Sequence, residues 1–140
     1  MKNTNRWLAR NKSIYYLIAM GWTLMVTLFS LSPMSNLPNI RVGFEHGDKL
    51  VHVFFYLGMT ITWYFKFTEP FPVKFLMKPL LAACAISFFY GIIIEVFQDI
   101  LPVDRSSDWQ DIYANTGGII LAVALLKILE GKTNWLKRKN

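Results

Sequence analysis

Cysteine occurs once, at Cys84, so no internal disulfide can form and the chain carries no mark of its redox compartment. Set in the middle of an apolar run, Cys84 reads as a small packing residue. There is no internal repeat, low-complexity tract or linker, which leaves one domain across the 140 residues. No nucleophile motif is present either, because Ser106 and Ser107 fit better as helix caps. Charge is missing altogether from residues 14–31. The following Ser32-Pro33-Met34-Ser35-Asn36 lacks a small-x-small cleavage pattern, so this run is expected to be a retained helix, not a signal peptide.

What is abundant is apolar surface. Hydrophobic residues make up 54% of the chain and aromatics 16%, more than a core of this size could hide. The apolar residues fall in blocks, and a bilayer asks for about 20 of them per helix. Residues 14–31, 50–65, 79–97 and 112–126 are such blocks, holding only His52, Glu95 and Asn115 as strongly polar interruptions. With their flanks, they predict helices over about 14–31, 49–66, 77–98 and 108–129. The expected fold is all-α, an integral membrane bundle of four helices, since lipid leaves unpaired backbone no alternative.

The net charge of +6 is a topology signal, and it does not call for nucleic acid as a partner. Lys2, Arg6, Arg10 and Lys12 precede the first helix, and Lys66, Lys74 and Lys78 flank the second loop. Lys127, Lys132, Lys137, Arg138 and Lys139 close the chain, leaving only Arg41, Lys49 and Arg105 for the opposite side. The positive-inside rule then puts both termini in the cytoplasm and makes the chain a multi-pass protein of the bacterial cytoplasmic (inner) membrane. Its constant partner is the lipid bilayer, with some attraction to anionic headgroups. Trp63, Phe65, Trp7 and Trp135 suit interfacial belts.

The ionisable residues line up on this topology. Asp48 and His52 are four apart at the outer start of the second helix and share a face, with Lys49 between them. Glu95 and Gln98 close the third helix, and Asp108, Asp111, Asn115 and Gly118 form one stripe on the fourth. The spacing of Ser107 and Gln110 is that of a capping box. His52, Glu95 and Asn115 come out about 5–10 Å inside the outer boundary, at 1.5 Å per residue. Each group has a structural reading, as helix-end charge or interhelical glue, but a carboxylate within a spanning block is costly. Convergence from three helices favours a functional site.

Asp48-Lys49-Leu50-Val51-His52 with Phe54 and Tyr56 forms one element of a pattern, and Glu95-Val96-Phe97-Gln98 a second. The third runs from Arg105 through Asp108, Asp111 and Asn115 to Gly118. Together they resemble the VanZ-like family of small bacterial membrane proteins. The resemblance implies an all-helical cell-envelope protein, whose namesake is linked to resistance to the glycopeptide teicoplanin. It supplies no mechanism.

The residues themselves offer three functions. In the first, an enzyme acts on an outer-leaflet lipid or cell-wall-precursor headgroup. Asp48 orients His52 as general base, Glu95 or Asp111 is a second acid or base, and Arg105 with Lys49 holds a phosphate. Gln98, Asp108 and Asn115 complete the ligand-binding candidates. The cofactor is open; His52, Glu95, Asp108 and Asp111 are candidate ligands for a hard divalent cation such as magnesium, calcium or manganese. In the second, a non-catalytic accessory protein uses the same cluster for binding or structure. The third, a small proton-coupled carrier, lacks symmetrically broken helices.

Overall fold

A computed structural model describes residues 2–32, 47–68, 77–101 and 108–139, with side chains for 13–32, 47–68, 77–101 and 108–129. Four helices account for nearly all of them: α1 (Lys2–Leu31), α2 (Gly47–Phe67), α3 (Met77–Ile100) and α4 (Trp109–Lys139). The helix α1 begins at Lys2 rather than 14, and α4 runs to Lys139 rather than 129. Apolar runs mark only the part of a helix that meets lipid. Backbone hydrogen bonding continues through the Arg-, Lys- and Leu-containing ends, which are good helix formers.

Three helices are long and apolar enough to cross a membrane: α1 over Ser13–Leu31, α3 over Met77–Ile100 and α4 over Trp109–Leu129. Their outer faces carry large exposed apolar side chains, among them Leu17, Leu24, Leu81, Phe89, Ile120 and Leu125. Water would not tolerate that surface, whereas lipid requires it. The 21 residues of α2 measure about 31 Å, but its sequence includes Asp48, Lys49, His52 and Lys66. Packing accounts for the difference. α2 and α3 each touch the three other helices, but α2 is the more heavily packed, above all on α4, while α1 and α4 do not meet among the described residues. A helix surrounded by protein has less lipid to satisfy and can carry more polar groups.

The outline is a rhombus with α2 and α3 along its short diagonal. α1 runs antiparallel to α2: Phe29 packs on Phe55, and farther along the Trp63 indole N–H donates to Thr23 Oγ1 at 3.1 Å. Trp63, expected in an interfacial belt, is therefore spent on a neighbouring helix. α2 and α4 run parallel, His52 meeting Asn115 at one end and Tyr64 packing with Leu126 at the other. Val26, Phe55, Tyr56, Met59 and Ile119 form the middle of the core, and Tyr64, Leu80, Ala83 and Leu126 its lower part. Hydrogen bonds cross between helices inside this core. Trp22 donates to the Phe55 carbonyl at 2.9 Å, Thr60 to Ser87 at 3.0 Å, and Thr27 pairs with Tyr90.

Gly118 sets the closeness of the parallel pair. A Cβ there would come within 2.3 Å of the Val53 carbonyl oxygen and 3.0 Å of the Leu57 nitrogen, both fixed backbone of α2. Its neighbour Gly117 faces open space. Gly118→Ala should therefore lower stability by about 1–3 kcal/mol through overpacking. Gly117→Ala should be neutral or gain about 0.5–1 kcal/mol from helix propensity. Unfolding midpoints of the two variants in detergent check this, and equal midpoints would contradict it.

Candidate functional site

The polar residues collect where α2 and α4 begin and α3 ends. At the rim, Asp108 stands just before α4, where its carboxylate accepts from the Gln110 backbone N–H at 2.9 Å and caps the helix. Ser107, expected to share that role, lies outside the described residues. From α2, the Lys49 ammonium reaches across to Asp111 Oδ1 at 2.6 Å and Asp108 Oδ2 at 2.8 Å. It also lies 3.2 Å from Asp48 on its own helix. An ammonium has three donors, and here three carboxylates share them. The ammonium, with the Gln110 N–H, holds the Asp108 carboxyl below its ordinary range.

One turn deeper, His52 is 3% exposed. Its Nδ1 meets Asn115 Oδ1 at 3.0 Å, and an amide oxygen can only accept, so Nδ1 donates. In the neutral ring the lone pair is then on Nε2, which faces Asp111 Oδ2 at 3.8 Å. Asp111 therefore serves two partners, one oxygen on Lys49 and the other toward the imidazole. From α3, Glu95 completes the group. One donor atom each from His52, Glu95 and Asp111 lie within 4.8 Å of one another, and all three residues are buried.

Not every expected residue joins this cluster in the expected way. Asn115, rather than the proposed Asp48, meets His52 Nδ1, and Asp48 pairs with Lys49. Asp108 sits with Lys49 at the rim and is not among the three clustered donors. Gln98 is buried, but its amide donates to the Ser30 carbonyl at 2.8 Å, satisfying an acceptor in the last turn of α1. Arg105, the expected phosphate contact, lies outside the described residues.

Two neighbours had not been singled out for chemistry. Tyr56 follows His52 by one turn, and Gly91 precedes Glu95 by one turn, so helical spacing alone would have found both. A Cβ at Gly91 would come within 3.1 Å of the Tyr56 ring and 3.2 Å of Asn115 Nδ2, so glycine lets the three helices close here. The Tyr56 side chain, hydroxyl included, is fully buried. That hydroxyl and Asn115 Nδ2 are both buried with no hydrogen-bond partner among the described residues. Buried donors left unspent ask for an acceptor.

A model of the VanZ/LLP1 family matches residues 3–130, which includes every residue of this cluster. The chain belongs to that family. No curated protein and no solved structure matches it. Family membership, with three helices long and apolar enough to cross a membrane, makes this a VanZ-like envelope membrane protein. In this VanZ/LLP1 chain the cross-helix contacts of Lys49 and His52 put the segment from Asp48 to His52 beside the segment from Asp108 to Asn115.

That contact is open to a direct test. Cysteines replacing Lys49 and Asp111, in a Cys84→Ser background, should join under a short oxidative or bifunctional cross-linker. Failure to join in folded protein would mean that α2 and α4 do not meet at this level.

Proposed function

We propose that this protein sits in the bacterial cytoplasmic membrane with four crossings and both termini in the cytoplasm. On this reading, the cluster opens toward the outer leaflet and binds the headgroup of a lipid or lipid-linked cell-wall precursor, with His52 as general base. The observation that carries it is the burial of His52, Glu95 and Asp111 together, one from each of three helices. Titratable groups at this depth in a membrane protein are expensive and collect where chemistry or transport needs them.

The roles follow from the contacts. Asn115 fixes the ring so that Nε2 carries the lone pair, and Glu95 serves as the second acid or base. Lys49 is occupied as a strut between α2 and α4, so holding an anionic headgroup passes to Arg105. A second reading, a binding or accessory protein without chemistry, draws support from Gln98, whose donor is spent on the Ser30 carbonyl. The lopsided distribution of lysine and arginine supports the orientation.

Orientation and role can be tested separately. A reporter fused after Asn140 should be active in the cytoplasm, and cysteines at Asn39 or Ser106 should label from outside intact cells. Labelling of the C-terminus by an impermeant reagent would reverse the siting of the cluster.

For the role, Glu95→Gln and His52→Gln should accumulate at near-normal levels yet fail to complement a deletion strain, scored by lipid and precursor profiling. Loss of a general acid or base costs about 10²–10⁴-fold in rate. Asn115→Ala should also lose about 1–3 kcal/mol of stability, because it strips a buried partner from His52. Full complementation by Glu95→Gln would exclude proton transfer through Glu95 and leave the accessory reading.

A further inference from the structure

We infer that His52 Nε2, Asp111 Oδ2 and a Glu95 carboxylate oxygen form a divalent-cation site, of the manganese or magnesium class. The inference deepens the headgroup reading and rests on the same cluster, with the Nε2 lone pair given to the ion in place of the general-base role. Geometry is the first argument. His52 Nε2 and Asp111 Oδ2 are 3.8 Å apart, too far for a hydrogen bond. Two ligands of one ion, each about 2.0–2.2 Å from it, lie no more than ~4.4 Å apart. The three donors, within 4.8 Å of one another, therefore close on a single ion with a small side-chain adjustment.

Orientation is the second argument. A metal-ligating histidine is usually held through its other nitrogen, and Asn115 holds Nδ1 here at 3.0 Å. Lys49 likewise holds Asp111 by Oδ1, which leaves Oδ2 for the ion. The supporting contacts of a metal site are thus in place on two of the three ligands.

Charge and the unspent donors complete the case. Asp48, Asp108 and Asp111 pair with Lys49, and Glu95 adds a fourth carboxylate beside Asp111 and His52. A divalent ion brings that sum close to balance in a place where water is scarce. Beside it, the Tyr56 hydroxyl and Asn115 Nδ2 are buried donors without partners among the described residues. An oxygen ligand on the ion, from water or a headgroup phosphate, would accept from them. One imidazole among carboxylates is a hard donor set, which favours manganese or magnesium over zinc.

The test is ion binding by the full-length protein in detergent, with Mn²⁺ as the probe and no substrate present. Mn²⁺ should raise the unfolding midpoint by several degrees and a chelator should reverse the rise. In a His46→Gln background His52 is the only imidazole, and bound Mn²⁺ should show nitrogen coupling in its electron-spin-echo spectrum. His52→Gln and Asp111→Asn should lose the ion, and Asp99→Asn should keep it. No Mn²⁺-dependent shift in wild type overturns the inference. So does bound Mn²⁺ without nitrogen coupling, a readout that needs no ligand variant to fold. A chain that binds no ion yet still fails to complement as Glu95→Gln removes the metal and leaves the headgroup reading standing.

Discussion

An ammonium group shared by three aspartates is the joint on which the outer half of this bundle depends. Lys49 belongs to α2, while Asp108 caps α4 and Asp111 lies in its first turn, so the ammonium ties the two helices together at the rim. Neither side is tolerable alone at the edge of lipid. The lysine needs its carboxylates and the carboxylates need the lysine. Once joined, they fix the register of α2 on α4, which in turn delivers Asn115 to His52 and Gly118 to the backbone of α2. Polar pairing sets the alignment, and the missing side chain lets it close.

The same joint explains the odd position of α2. It is the least lipid-like helix and, although α3 also touches the other three, the most heavily packed, above all on α4. Its buried face changes character along its length, from His52 at the rim through Tyr56, Met59 and Thr60 to Tyr64 below. The bundle is therefore polar at one end and apolar through the rest. α1 contributes least to the polar end, reaching it through the Ser30 carbonyl that accepts from Gln98.

How much of this could be read from sequence divides along a physical line. The helical class follows from long apolar runs, a property of each segment alone, which pointed to four crossing helices; three of the four are long and apolar enough to cross. Helical rise converts sequence position into depth, which set His52, Glu95 and Asn115 at one level; Asp111, one turn before Asn115, is the α4 residue whose donor lies with those of His52 and Glu95. Pairings were not legible. Whether His52 meets Asp48 or Asn115 depends on rotation and on which helices are neighbours, and a rhombic bundle does not follow chain order. Gln98 looked like a ligand contact for the same reason, since its acceptor is a backbone carbonyl on another helix that leaves no trace in sequence. The twofold use of Asp108, as cap and as lysine partner, was half visible. Its place at the helix start was readable, its contact with Lys49 only in part.

The distance along the chain between these partners has a consequence for how the protein is made. Lys49 precedes Asp108 by 59 residues, and His52 precedes Asn115 by 63. At synthesis rates of about 5–20 residues per second, α2 waits roughly 3–12 s before its partners emerge. During that interval an ammonium and an imidazole near the mouth of a half-built bundle have no α4 to receive them. The polar joint between α2 and α4 can therefore close only once the last helix has been made.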